Sequence, residues 1–506
     1  MPANMEFGIQ FSNTTNGTPR NTDDPFRVLV LADLRGCGHK DTSTTIPVPV
    51  QVDIDNFDSV MKRFTPRLDI PLSTDSDATI SVEFTNLDHF HPDYLYQNLD
   101  LFQQLKNLRD RLSNPASFAE AAQQLRSDKQ QAAENTPAKA EKTAAGNSED
   151  NMFERLLGAS SSIDSQTSSD VIKKARGGIN NFITDVVSEY IVPEADPDQD
   201  KYIAGIDDAI SAQMRALLHH PAFQALESTW RSIYQLITEL QTGDELKVYI
   251  LDQTRADLVK DILGSTDNLQ QSITYQRIVE TQVSVLGGQP WAALVADYSF
   301  SEHNDDLTVL AAMGAIASQA GGPFLAAANP SIIGCDTINN NTDPHKWTPP
   351  DNANWMTLRQ SSYASWIGLS LPRVILRQPY GPKSDQIDSF DFIEVHDACE
   401  HESFLWGNSA YCLAILLGKA FEDYSWSMQP GQYPDIEDLP HFTYTEHGEP
   451  CMLATAEAYL SDRAGDSILS YGLMPVLSYR NRNMARVLRF QSIAEPASNL
   501  SGQWRA

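Results

Sequence analysis

The chain of 506 residues is acidic, with 67 Asp and Glu against 37 Lys and Arg and a formal net charge of -30 at pH 7. Hydrophobic residues make up 41% and charged residues 21%, a balance typical of a globular protein with more than one structural unit. Nucleic acid and anionic membrane surfaces are disfavoured as partners because both are themselves negative.

The cysteines and the apolar stretches indicate the cellular compartment of the protein. Five cysteines are scattered without CxxC spacing: Cys37, Cys335, Cys399, Cys412 and Cys451. This pattern predicts neither a disulfide framework nor a zinc ribbon, and it favours a reducing compartment. The N-terminal "MPANMEFGIQFSNTTNG" lacks the features of a secretion signal, and the apolar stretch "AYCLAILLG" is too short to span a bilayer. We therefore expect a cytoplasmic protein without direct membrane insertion.

The first part of the chain predicts one small domain. Residues 1–24 are polar and predict a flexible tail. From "PFRVLVLADL" onward, strand and helix patterns predict an α+β unit over residues 25–126, with Asp55 or Asn56 as a helix cap. We expect an "HPDYL" turn before its last helix, which presents an apolar face of Leu101, Phe102, Leu105, Leu108 and Leu112. Residues 127–150 are poor in apolar side chains and predict a linker that spans up to about 80 Å when extended.

The rest of the chain predicts a helical extension and a larger core. Residues 151–200 hold two amphipathic helical patterns, and the apolar face of the first consists of Met152, Phe153, Leu156 and Leu157. Over residues 201–492, helical patterns alternate with the strand-like runs "ELKVYIL", "PWAALVADYSF", "GPFLAAANP", "RVILRQPYG", "LMPVLSYR" and "MARVLRFQS". Apolar strands between helices predict a sheet covered on both faces, so the expected fold class is α/β. Residues 493–506 are predicted to be a tail.

Motifs for nucleotide or serine-hydrolase chemistry are not found in the sequence. Neither GxxxxGK[ST] nor GxGxxG occurs, and GxSxG is also missing. The segment "RGCGHK" contains Gly36 and Gly38 without the third glycine of a dinucleotide loop, which favours a turn.

The segment "FIEVHDACEHESFLWGN" concentrates potential metal ligands, namely Glu394, His396, Asp397, Cys399, Glu400, His401 and Glu402. No second ligand pair at motif spacing accompanies them, so an acidic loop before a helix is favoured over a zinc site. We predict no metal and no cofactor.

Two further polar positions have both a functional and a structural interpretation. Asp297 follows an apolar strand run, where α/β enzymes carry catalytic carboxylates, but a cap or turn role is favoured because no second group is placed by a motif. His219 and His220 are adjacent on a helix and point to different sides, which favours a role at the helix end over shared metal binding.

Arg373 and Arg377 lie within the apolar run "SLPRVILRQPYGPKSD". Their spacing of four in a strand predicts that both face the same side. They could bind an anion, or they could make bidentate contacts to carboxylates across a subunit or domain boundary. Spacing alone favours neither alternative.

Several segments resemble the large subunit of the bacterial type VI secretion contractile sheath in their order and separation. They are "GGPFLAAANPSIIG", "LRQSSYASWIGLSLPRVILRQPYGP", "FLWGNSAYCLAILLGKAF" and "YLSDRAGDSILSYGLMPVLSYRNRNMARVLRFQS". "ISAQMRALLHHPAFQALESTWRSIYQLI" is similar to the helical entry of that subunit's core. "FRVLVLADLRG", "VDIDNFDSVMKRFTPRLDI" and "VEFTNLDHFHPDYL" resemble the small subunit of the same sheath. The chain therefore resembles a small subunit fused to a large one.

This resemblance implies a structural protein and not an enzyme. In the family, small and large subunits pair and stack into a helical tube that contracts around an inner tube, so sheath subunits, inner tube and baseplate are the expected partners. Arg373, Arg377, Trp406 and Asn408 become candidate core or subunit-interface residues. The face of Met152, Phe153, Leu156 and Leu157 corresponds to the segment that a hexameric AAA+ unfoldase recognises.

The sequence differs from the family in one respect, and two alternative functions are also compatible with it. Family large subunits continue past "RFQS" into an inner domain, whereas this sequence ends with "IAEPASNLSGQWRA". We therefore expect either a modified sheath component or an accessory that docks on a sheath without extending it. The alternatives are an α/β enzyme or metal-binding protein on a sheath-like core, and a phage-tail-like injection sheath.

Overall fold

The computed structural model describes residues 24–36, 48–71, 79–123, 125, 199–396 and 400–504. Residues 1–23, the predicted linker, and the predicted helix with Met152, Phe153, Leu156 and Leu157 lie outside these ranges.

The main sheet contains nine described strands. They are β1 (Phe26–Ala32), β2 (Val50–Val52), β5 (Leu246–Asp252), β6 (Ala293–Phe300), β7 (Phe324–Ala328), β8 (Ile367–Leu371), β11 (Asp435–Ile436), β14 (Met474–Ser478) and β15 (Ala485–Val487). Their order is β11-β15-β14-β8-β7-β6-β1-β5-β2. The strands from β14 to β5 run parallel, and antiparallel strands lie on both sides of them.

Three pairs of antiparallel strands lie outside this sheet. β3 (Arg67–Pro71) pairs with β4 (Thr79–Glu83), β9 (Val374–Ile375) with β10 (Trp406–Gly407), and β12 (Thr443–Glu446) with β13 (Glu449–Met452).

The described helices connect and cover the strands. They are α1 (Phe57–Phe64), α2 (Pro92–Asn98), α3 (Asp100–Ser113), α4 (Gln199–Leu218), α5 (Pro221–Glu239), α6 (Arg255–Leu263), α7 (Ile273–Tyr275), α8 (Asn304–Ala320), α9 (Ala353–Arg359), α10 (Ala410–Tyr424) and α11 (Asp462–Ser470). A π-helical turn, Gln276–Glu280, continues α7. No described helix is long and apolar enough to cross a membrane.

Strand β1 lies between β5 and β6, which come from a distant part of the chain. Val30 is the register partner of both Ile250 and Val295, and every residue of β1 is buried. A strand with hydrogen-bonded neighbours on both edges and apolar side chains on both faces cannot be stable by itself. The predicted unit over residues 25–126 therefore shares its first two strands with the larger core.

Helices cover both faces of the sheet, as the sequence predicts, and the α/β fold class is confirmed. On one face, Val28 and Val30 pack in a cluster with Trp230 of α5 and Leu413 of α10. On the other face, Leu29 and Leu31 pack in a cluster with Leu310 of α8. Alternate residues of β1 thus contribute to two different cores.

Three local expectations were wrong. The predicted turn around "HPDYL" is the helix α2, which begins at Pro92 with His91 as its N-cap. The predicted strand "RVILRQPYG" reaches only Ile375 and pairs with β10 outside the main sheet. The segment after residue 492 is packed and is no tail through Trp504, because Ile493, Leu500 and Trp504 are buried in the core.

Candidate functional site

Arg377 is the centre of a buried ion network. Its Nη1 donates to Glu394 Oε2 at 2.7 Å, and its Nη2 donates to Glu394 Oε1 at 2.8 Å. Its Nε donates to Glu227 Oε1 on α5 at 2.8 Å. The Arg377 side chain is 8% exposed, and both carboxylates are fully buried. Burial without partners would be costly for each of these charges, so the three groups depend on one another.

Arg231 and Tyr380 complete the network. Arg231 Nε donates to Glu227 Oε1 at 2.7 Å, so two guanidinium groups balance two carboxylates. The backbone N–H of Tyr380 donates to Glu394 Oε2 at 2.7 Å, and the Arg377 guanidinium stacks 4.4 Å from the Tyr380 ring centroid. Burial opposes ionisation of Glu394, but the positive charge of Arg377 and the polar contacts of Glu394 with His219 and Arg377 together outweigh it and lower the Glu394 pKa to about 2.

The N-terminal part of the chain contacts this network. The His91 ring lies edge-on to Tyr380, with centroids 4.9 Å apart. Asp93 accepts hydrogen bonds from the backbone N–H groups of Asp388 at 3.1 Å and Ser389 at 2.9 Å. The network is therefore a core contact that also adjoins the junction between the two parts of the chain. A role of Arg377 between separate subunits stays a prediction.

Arg373 lies apart from Arg377, so the expectation that both face the same side was wrong. The strand covers only Val374 and Ile375, and the chain bends at Arg377. Arg373 Nε donates to Glu457 Oε1 at 2.8 Å, and its Nη2 donates to Glu402 Oε1 at 3.0 Å, while its side chain stays 42% exposed. Because carboxylates already contact both arginines, the geometry favours carboxylate pairing over anion binding.

Trp406 and Asn408 join helices to strands. The buried Trp406 donates from Nε1 to the His401 carbonyl at 2.7 Å, and its own carbonyl accepts from Ser228 on α5 at 3.1 Å. Asn408 Nδ2 donates to the carbonyl of Ala296 in β6 at 3.2 Å. Its Oδ1 accepts from the N–H of Ala410 at 2.9 Å, which places Asn408 at the start of α10.

Asp297 lies within β6, so the cap or turn interpretation was wrong. Its Oδ2 accepts from Thr229 Oγ1 at 2.7 Å, and burial raises the pKa of its carboxyl. It lines a cavity of about 640 Å³ at the carboxyl ends of β1, β6, β7 and β8, together with Arg373, His401 and Glu457. These three groups pair with one another or with Glu402, so their charges are already engaged.

His219, His220 and the possible metal ligands in the described residues cap a helix or contact charged side chains. His220 is the N-cap of α5, and His219 Nε2 lies 3.6 Å from Glu394 Oε1. Glu394 and Glu402 are engaged by arginines, and His396 Nε2 lies 3.2 Å from Arg215 Nη1. Within the part of the chain that the structure describes, no group of three or more His, Cys, Asp or Glu could hold a metal. Asp397 and Cys399 lie outside that part.

Sequence reasoning missed Arg27, a buried arginine in β1. Its guanidinium carbon lies 4.0 Å from the Trp291 ring centroid and 4.9 Å from that of Tyr249. Its Nη1 also donates to the Gln289 carbonyl at 2.5 Å. Arg27 could have been recognised as the single charge in the apolar run "FRVLVLA". A charged side chain in a strand that is buried on both faces requires a specific partner.

The family model described as EvpB/VC_A0108, tail sheath N-terminal domain, matches residues 200–494, which is more than half of the chain. The chain belongs to this tail sheath family. A second family model, described as type VI secretion system, VipA, VC_A0107 or Hcp2, matches residues 6–145. The resemblance to a fused small and large sheath subunit is confirmed by these two consecutive matches.

Two sheath proteins of Pseudomonas aeruginosa are similar to this chain. The type VI secretion system sheath protein TssC1 is 32% identical over 308 residues, which cover 58% of this chain and 61% of TssC1. The type VI secretion system sheath protein TssB1 is 24% identical over 115 residues, which cover 22% of this chain and 67% of TssB1. This tail sheath family member thus spans less than two thirds of the length of TssC1.

Proposed function

We propose that this chain is a structural component of a bacterial type VI secretion contractile sheath, in which the small and large subunits are one polypeptide. One observation carries the proposal. Strand β1 comes from the part that the VipA model matches, and it hydrogen-bonds to β5 and β6 from the part that the tail sheath model matches. The two parts form a single structural unit, as a sheath protomer requires.

Further contacts support a permanent pairing of the two parts. Arg109 in α3 and Asp207 in α4 form a bidentate ion pair, with Nε to Oδ1 at 2.5 Å and Nη2 to Oδ2 at 3.0 Å. Phe84 and Phe90 pack edge-on against Phe223 of α5, with centroids 5.9 Å and 5.5 Å away. Fusion holds such partners at high effective concentration and at a ratio of one to one.

The proposed domain arrangement keeps the predicted limits of 25–126 for the small-subunit part and extends the predicted large-subunit part, 201–492, to Trp504, because residues after 492 are packed in the core. The proposed partners are further sheath subunits, the inner tube and the baseplate, and the proposed location is the cytoplasm. A AAA+ unfoldase is a further proposed partner, through Met152, Phe153, Leu156 and Leu157. We propose no catalytic activity, because the buried charges at the site are engaged with one another.

Electron microscopy with co-sedimentation tests the proposal. The purified chain is imaged alone and after expression with a complete sheath pair, and a gold-labelled tag on the chain locates it. We expect the label along sheath walls or at sheath ends, and the chain in the sheath pellet. A chain that forms no tubes and stays in the supernatant beside intact sheaths would contradict a sheath function.

A further inference from the structure

The turn between β14 and β15 is rich in arginine although the chain is strongly acidic. Between Asp466 and Glu495 the sequence contains no Asp or Glu. Four exposed arginines lie in this stretch, namely Arg480, Arg482, Arg486 and Arg489. Arg480, Arg482 and Arg486 lie in the turn or at the adjoining end of β15, and we call these three residues the arginine corner. A local excess of positive charge in a chain with a net charge of -30 is a feature that attracts acidic surfaces.

Carboxylates of the same chain neutralise the arginine corner only in part. Arg486 Nε and Nη2 donate to the two oxygens of Asp435 at 2.7 Å and 2.8 Å. Arg480 stacks on the Tyr459 ring at 5.4 Å. Asp438 accepts a long contact of 3.5 Å from Asn483 in the turn, and the exposed Glu437 is its neighbour.

Two guanidinium groups of the arginine corner stay available. Arg480 and Arg482 form no ion pair with any described residue. An exposed guanidinium keeps its five donors free for a carboxylate of another molecule.

The opposite edge of the sheet carries the opposite charge. Asp53 and Asp55 follow the edge strand β2, while Asp244 and Glu245 precede β5, and we call these four residues the acidic corner. The antiparallel pairing of Val52 with Val248 brings the end of β2 to the start of β5, so the four residues are neighbours. Lys247 lies two positions after Glu245 in β5, and Asp55, Asp244 and Glu245 are exposed.

The two corners are diagonally opposite on the main sheet. The turn after β14 lies at the carboxyl end of the parallel strands, whereas the acidic corner lies at their amino end. With strands about 4.8 Å apart, β15 and β2 are separated by roughly 30 to 35 Å across the sheet. A contact between two different surfaces is head-to-tail, so each copy keeps one corner free for a further copy, unlike the self-complementary contact of a two-fold dimer.

We propose that the arginine corner of one copy of this chain docks on the acidic corner of a second copy. This inference rests on the proposed sheath function and names the surfaces through which copies contact each other. The bonds are guanidinium–carboxylate pairs at the rim of the contact, so they set orientation and are sensitive to salt.

A charge-reversal series in the full chain tests the proposal. Arg480→Glu with Arg482→Glu reverses the arginine corner, and Lys346→Glu with Lys383→Glu makes the same change of charge at exposed loop positions elsewhere. Self-association is measured by sedimentation velocity in about 50 mM and about 500 mM NaCl. We expect self-association of the wild type at low salt that weakens at high salt, and at least about tenfold weaker association of the arginine variant only. Adding Asp55→Arg and Asp244→Arg to the arginine variant should restore association.

Two results would overturn the inference. One is equal association of the arginine variant and the loop control, and the other is a wild type that stays monomeric at low salt. Incorporation into an authentic sheath is scored separately, so a failure of this contact is distinguishable from a failure of the proposed function.

Discussion

Arg377 and Glu394 face each other in a buried two-pronged ion pair, with Nη1 to Oε2 at 2.7 Å and Nη2 to Oε1 at 2.8 Å. The pair connects the loop after β9 to α5 through Glu227. It is also close to His91 and Asp93 of the N-terminal part through Tyr380 and Ser389. Removing one partner leaves the other charge buried without compensation.

The first prediction follows from this uncompensated charge. Replacing Arg377 with Met should lower the free energy of unfolding by about 3–5 kcal/mol, because Glu227 and Glu394 lose their shared cation. The control is Arg67→Met, which removes an exposed pair with Asp69 and should cost about 0–1 kcal/mol. Guanidinium chloride unfolding followed by circular dichroism measures both variants. Equal losses in the two variants would show that the buried network does not stabilise the fold.

The second prediction concerns acid. The pKa of Glu394 is lowered from 4.5 to about 2 in the folded protein. The folded state therefore binds fewer protons than the unfolded state, and this stabilisation is present above pH 4.5 and lost as the pH falls towards about 2. We expect the free energy of unfolding to fall more steeply in this window for the wild type than for Glu394→Gln. If the free energy of unfolding depended on pH in the same way in both proteins, a lowered pKa of Glu394 would be contradicted.

Apolar periodicity predicted the strands but not their neighbours. The runs around β1, β5, β6 and β7 are continuous because helices cover both faces of the sheet, and such runs are visible in the sequence. The position of β1 between β5 and β6 depends on pairing with residues more than two hundred positions away; Val30, for example, is in register with Ile250. Local patterns hold no information on such distant pairing.

For the candidate site, the sequence identified the two arginines but not their partners. Arg373 and Arg377 were recognisable as charges in an apolar run, and pairing with carboxylates was one of the two alternatives. Their partners were not recognisable, because Glu227 is 150 positions from Arg377 and Glu457 is 84 positions from Arg373. The strand that would hold both arginines on one side ends at Ile375, where β9 pairs with β10 instead of extending the main sheet.

The third prediction tests whether β1 is essential to the whole sheet. Val30→Asp places a charge on a fully buried strand between β5 and β6, and should destabilise the protein by more than about 4 kcal/mol. Gln51→Asp makes the same side chain on the exposed edge strand β2 and should change stability by less than about 1 kcal/mol. Soluble yield and thermal unfolding report both effects. A stable, soluble Val30→Asp protein would mean that β1 is dispensable.

The fourth prediction concerns Arg27 in the same strand. Its guanidinium stacks on Trp291 and Tyr249, and a lysine has neither the planar group nor the same set of donors. Arg27→Lys should therefore cost about 1–2 kcal/mol of stability, whereas Arg67→Lys at an exposed position should be close to neutral. Thermal unfolding of the two variants at neutral pH distinguishes the cases. Equal stability losses in the two variants would show that the stacking of Arg27 on Trp291 and Tyr249 does not stabilise the protein.

Cleavage of the connection between the two parts is the most direct test of a single protomer made from a small and a large subunit. A protease site is placed within residues 127–150 of the full chain, and the protein is cut after folding. We expect the two fragments to elute together in size-exclusion chromatography and to separate only in denaturant, because β1 stays hydrogen-bonded to β5 and β6. Separation of the fragments into two stable folded species under native conditions would contradict it.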